Sequence, residues 1–86
     1  MTVTISKDVL AQELDGETVL LDLASESFFG LDAVSTRVWQ LLQGGAGQDE
    51  IVETLLAEYD VEREVLEQDI EDLLGRLAEA GLIQLA

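Results

Sequence analysis

Cysteine and histidine are absent from the 86 residues, and cations are scarce: Lys7, Arg37, Arg63 and Arg76 stand against 19 Asp and Glu, a formal net charge of −15. Without thiolate or imidazole, zinc, iron–sulfur and haem sites of the ordinary kind cannot be assembled, and neither can Ser-His or Cys-His nucleophilic arrangements. Most enzyme classes fall with them, so the chain is expected to be non-catalytic and to carry no cofactor and no metal. Phosphate binding needs cationic neutralisation, and four cations cannot form a basic patch; DNA, RNA and anionic membranes are poor partners. No apolar run approaches the ~20 residues that span a bilayer, which makes a soluble chain the expectation. Met1 is followed by Thr-Val-Thr-Ile-Ser rather than by a basic-then-apolar signal, so the default location is the cytoplasm.

What is present is a foldable amount of apolar material. Hydrophobic residues make up 48% of the chain, too many for a disordered acidic tail. At this length the expectation is one domain, residues 1–86, burying roughly 60–65% of its unfolded surface. The negative charge must therefore sit on a folded surface. No D-x-D-x-D-G loop gathers the acids for calcium; they spread along helical segments, where they solubilise the surface and steer a basic segment of a partner.

In chain order, Met1 to Lys7 is polar with isolated Val3 and Ile5 and reads as a frayed end rather than an edge strand. Strands are expected over about 9–14, 18–23 and 27–31. Asp15-Gly16 is a strong hairpin signal between the first two, and Ala24 to Ser27 turns the chain again. In the second strand Val19, Leu21 and Leu23 alternate with Leu20 and Asp22, the pattern of one well-buried face. Side chains alternate across a strand, so Phe28 and Phe29 must point to opposite faces, and Phe29 is taken as the outward one, with Phe28 as the alternative in the other register.

Helices are expected over about 33–43, 49–58 and 62–80. Asp32 caps the first, which carries Val34, Val38, Leu41 and Leu42 at helical spacing, with Trp39 beside that stripe as a core residue; Gly44-Gly45 ends it. The second has Ile51, Leu55 and Leu56 on one face, and Asp49 and Glu50 complement its N-terminal dipole. The third buries Leu66, Ile70, Leu73, Leu74 and Leu77 and stops at Gly81. Val65, Asp69, Asp72 and Arg76 flank that stripe, with Asp72 and Arg76 placed for an i,i+4 pair. Gly75, inside the helix, costs ~1 kcal/mol relative to Ala and marks either a close approach of another element or ordinary helix packing.

Strands first and helices after give an α+β fold, winged helix-turn-helix-like, with an N-terminal three-stranded antiparallel sheet followed by three helices. A DNA reader needs a basic recognition helix, whereas the third helix carries Glu62, Glu64, Glu67, Asp69, Glu71, Asp72 and Glu79 against Arg63 and Arg76. The Phe28-Phe29 strand is the sharpest candidate site, because an edge with an outward aromatic offers hydrogen bonds and apolar contact to an added peptide strand. The alternative is that both rings serve core and surface packing.

The order LLDL, a short turn, FFGLD, then VWQLL, and near the end DIEDLLGRLAEAGLI resembles the PqqD-like family of peptide-modification chaperones, also called RiPP recognition elements. The fit is best with the small stand-alone members of lasso-peptide gene clusters and runs from about Val9 to Ile83. The sequence departs from the family pattern at Ser35, often Gly, and in the Gly-rich turn Gly44 to Gly47. The resemblance implies a groove between the third strand and the third helix, where the leader peptide of a ribosomally made precursor docks as a fourth strand. Carried onto this sequence, the strand is Ser27, Phe28, Phe29, Gly30 and Leu31, and the helix contributes Asp69, Asp72, Leu73, Arg76 and Leu77. The implied partners are the precursor's leader peptide, a separate leader peptidase and a cyclase. Two other readings stand beside this one: a PqqD-like chaperone of another peptide-modification pathway, and an acidic acyl or peptidyl carrier protein. Against the carrier, Ser35 follows Asp32-Ala33-Val34 rather than the Asp-Ser-Leu arrangement of such proteins.

Overall fold

The computed structural model describes residues 3–85. In chain order its elements are β1 (Val3–Ile5), β2 (Val9–Leu14), β3 (Glu17–Asp22), β4 (Ser27–Leu31), α1 (Ala33–Gln43), α2 (Gln48–Glu58), α3 (Arg63–Glu79) and β5 (Ile83–Leu85). The first hairpin forms because Asp15 and Gly16 both take positive φ, 54° and 83°, the conformation a two-residue turn requires. That turn pairs Leu14 with Glu17 and sets the β2–β3 register. The second hairpin depends on Asp22: its carboxylate accepts the Ala24 N–H at 3.2 Å and the Ser25 hydroxyl at 2.9 Å. A nearly buried acid is tolerated there because the turn satisfies its oxygens.

The sheet order is β2-β3-β4, which leaves β4 as an edge strand. Its inner face is built from Thr18, Leu20 and Asp22 of β3, while Val19 and Leu23 are exposed, so the buried face is the opposite of the apolar Val19, Leu21 and Leu23 set that the sequence pattern offered. Register then decides the phenylalanines, pairing Leu20 with Phe29 and Leu21 with Phe28. Phe29 turns inward with Leu20 and packs against the core. Phe28 points away, 73% exposed. The outward ring is thus Phe28 and not Phe29, a correction to the sequence expectation. Its cause is the run Val19-Leu20-Leu21, apolar on both faces, which hides the phase of the strand.

Each helix has a chemical start or stop. The Asp32 carboxylate accepts the Ser35 N–H at 2.8 Å, capping α1. At its other end Gly45, at φ 90°, lets the Ala46 N–H reach the Leu41 carbonyl and the Gly45 N–H reach that of Leu42. The same closure ends α3, where Gly81, at φ 80°, lets the Leu82 N–H reach the Leu77 carbonyl at 2.9 Å. The N-terminus of α2 has no side-chain cap and relies on Asp49 and Glu50 in its first turn.

Val3 to Ile5 is not frayed. It pairs antiparallel with β5, Val3 opposite Leu85 and Ile5 opposite Ile83, and the Ser6 N–H is held by the Leu82 carbonyl at 3.0 Å. Val3 and Ile5 pack against the core cluster, so burial holds a segment whose local sequence would not. The part of the expected frayed end at residues 1 and 2 lies outside the described residues. Leu20 and Leu31 of the sheet, Val38, Trp39 and Leu42 of α1, Ile51 and Leu55 of α2 and the α3 stripe share one core. Arg37 bridges α1 to Glu58 of α2 at 2.6 Å, and Arg63 bridges α3 to Glu53 of α2 at 2.7 Å. Among the described residues no helix is long and apolar enough to cross a membrane.

Candidate peptide-binding groove

The edge strand β4 carries Ser27, Phe28, Phe29, Gly30 and Leu31 with neither a charge nor a proline among them. Those are the usual devices that block strand addition, so this edge is open to a further strand. Phe28 stands on the outer face beside that edge. Gly30 is exposed and opposite Val19, and a methyl placed on it would meet no atom within 4 Å. Leu31 is buried and fixes the end of the strand, while the buried Thr36 ties the strand to α1 by donating its hydroxyl to the Leu31 carbonyl at 3.4 Å. The Thr36 N–H reaches the Asp32 carbonyl at 2.8 Å, a second link across the same junction.

Directly past that junction an open groove of about 1020 Å³ runs between the start of α1 and one side of α3. Asp32, Val34, Ser35 and Val38 form one wall. The other wall and the floor come from α3, through Leu66, Asp69, Ile70, Asp72, Leu73 and Arg76. Asp69, Asp72 and Arg76 of the flank picked out by helical periodicity line the groove, together with Leu73 of the apolar stripe. The strand residues themselves do not line this groove; they end at its mouth. Leu77 is a correction: at 0% exposure it lies in the middle of the core stripe and offers no surface to a ligand. Val65 is exposed but is not part of the groove lining.

The charges in the groove also differ from expectation. Asp72 accepts a hydrogen bond from the Gln68 amide at 2.9 Å, and the ion pairs among the described residues are Arg37–Glu58 and Arg63–Glu53, not Asp72–Arg76. Asp32 is held below the usual carboxylate range, first by the backbone N–H and then by the side chain of Ser35, with a smaller contribution from the positive Arg76 guanidinium across the groove. Gly75 lines the groove, and a methyl there would meet no atom of the described residues within 4 Å, so neither a close approach nor helix packing among them accounts for it. Trp39 is buried, as expected of a core residue, although its indole N–H has no hydrogen-bond partner among the described residues. The α1 wall and Leu85 of β5 were missed by sequence reasoning. The available signal for the wall was Val34, an exposed apolar residue in the first turn after the aromatic strand.

Comparison with known proteins supplies a frame for this geometry. Residues 17–83 match the family described as Coenzyme PQQ synthesis protein D (PqqD). Among solved structures, TbiB1 in complex with the TbiA(beta) leader peptide is similar at 42% sequence identity and a TM-score of 0.92, with 96% of each chain covered. Lasso peptide synthetase B1 complexed with the leader peptide is similar at 27% identity and a TM-score of 0.89, covering 99% of this chain and all of that one, 100%. No curated protein sequence matches the chain.

Proposed function

The chain belongs to the PqqD family, and on that premise we propose that it binds the leader segment of a ribosomally made precursor peptide and presents it to processing enzymes. Both solved relatives hold leader peptides, and lasso-peptide maturation is the pathway the reading favours. The observation that carries the binding mode is the uncharged, proline-free edge of β4, which opens beside an aromatic ring and ends at the mouth of a groove. An added strand takes its register from backbone hydrogen bonds to Ser27–Leu31. Its side chains alternate, one set meeting Phe28 on the outer face and the other turning toward Asp69, Asp72, Leu73 and Arg76 of α3. The role is recognition rather than chemistry. Cleavage and ring closure then fall to a separate leader peptidase and a cyclase, which meet the loaded complex in the cytoplasm.

Titration with the leader peptide of this protein's own precursor, followed by hydrogen exchange, tests the reading. The expected result is micromolar or tighter binding with new protection at the amides of β4, because an edge strand otherwise leaves alternate groups open to water. Protection confined to α1 and α2, or no binding, would overturn it.

A further inference from the structure

Among the described residues five carboxylates line the groove, those of Asp32, Asp69, Glu71, Asp72 and Glu79, against a single cation, Arg76. The two remaining arginines are engaged elsewhere, Arg37 with Glu58 and Arg63 with Glu53, and cannot neutralise this wall. Below the acids the floor is apolar, made by Leu66, Ile70 and Leu73, all buried. A peptide lying over that floor displaces water from the carboxylates, and like charges left facing each other under a cover of lower dielectric are costly. The cost falls on any peptide that brings no positive charge.

We infer that the groove selects a cationic peptide: the bound strand places a Lys or Arg opposite Asp69 and Asp72, with apolar neighbours over Ile70 and Leu73. The inference rests on the peptide-binding reading and names the class of leader that fits. Geometry limits how many cations are accepted. From Asp69 to Arg76 the helix rises about 10 Å, and inward-facing side chains of a strand recur every ~7 Å. Two of them fit along this wall: the first meets the carboxylate pair, while the second lies near Arg76 and is not cationic. The selectivity is therefore positional, which distinguishes it from a general attraction of basic peptides to a chain of net charge −15.

The test uses a display library of randomised decapeptides, selected on the wild-type protein and on Asp69→Asn/Asp72→Asn, with folding of each checked by circular dichroism. Wild-type protein is expected to enrich Lys or Arg at one fixed position of the aligned peptides, and the double variant to lose that enrichment. A synthetic copy of a selected peptide should bind the double variant about tenfold more weakly at moderate salt. Replacing its cation by Glu should weaken wild-type binding, and Asp69→Lys/Asp72→Lys should restore it. Enriched peptides without a positioned cation, or a cation that persists in the double variant, would overturn the inference while leaving peptide binding intact. If no peptide is selected at all, the peptide-binding reading itself fails, and this one with it.

Discussion

The two adjacent phenylalanines have the same chemistry and opposite roles, and a single substitution at each separates them. Phe28 is 73% exposed, so Phe28→Asp should leave the melting temperature nearly unchanged. It should weaken leader binding by over tenfold, since an aromatic anchor at an interface is worth ~2 kcal/mol or more. Phe29 packs against the core, and Phe29→Asp should instead destabilise the fold by about 3 kcal/mol through a lost contact and a buried charge. Equal binding losses in two fully folded variants would show that the assigned faces are wrong. Asp32 offers a separate test through pH. Its folded-state pKa is lowered from 3.8, chiefly by hydrogen bonding to Ser35, so its contribution is present above the unfolded value and is lost as pH falls through the lower folded one. Asp32→Ala should cost about 1 kcal/mol at pH 7. In chemical denaturation that gap should shrink as pH drops below 3.8. A gap independent of pH would point to backbone conformation rather than the ionised cap.

At the scale of elements, legibility followed whether the deciding contact was local. Asp15-Gly16, Asp32, Gly45 and Gly81 each act within a few residues, so the meander and the helix ends could be read from residue type. The polar flank of α3 was legible for the same reason, because 3.6-residue periodicity collects Asp69, Asp72 and Arg76 on one side of the apolar stripe. Leu77, which the same periodicity places in the buried stripe, entered the site only through the family resemblance, and its burial removes it. What could not be read depended on distant partners. Val3–Ile5 and Ile83–Leu85 are each three residues long and form a ladder with one another across almost the whole chain. Neither segment is a convincing strand alone. The phase of β4 was likewise set by cross-strand register with β3, where Val19-Leu20-Leu21 puts an apolar residue on both faces and the alternation read from the sequence did not say which face is buried. The terminal ladder supplies its own prediction: deleting residues 1–6 uncovers Ile83 and Leu82 and should lower stability by about 2–4 kcal/mol in urea unfolding. An unchanged midpoint would mean that β1 contributes nothing to holding β5 in place.

For the molecule as a whole the dominant fact is a net charge of −15 within principal extents of 36 × 31 × 20 Å. Duplex DNA should not bind at moderate salt, because the protein has too few cations to release counterions from phosphate, and a micromolar gel shift would refute this. The same charge fixes the sign of the salt dependence of stability, where two effects compete. The ion pairs Arg37–Glu58 and Arg63–Glu53 are solvent-exposed and weak, and salt weakens them further. Self-repulsion among 19 acids works in the other direction. At 10 mM salt the screening length is about 30 Å, so nearly every charge in the folded protein feels every other, whereas at 1 M only immediate neighbours interact. The unfolded chain spreads its charges over a radius more than twice as large and suffers less. Repulsion outnumbers attraction, so raising NaCl from 10 to about 300 mM should increase the melting temperature, by about 4–8 °C for each kcal/mol of repulsion screened in a domain of this size. A melting temperature that falls with added salt would show that the two ion pairs outweigh the whole acidic surface.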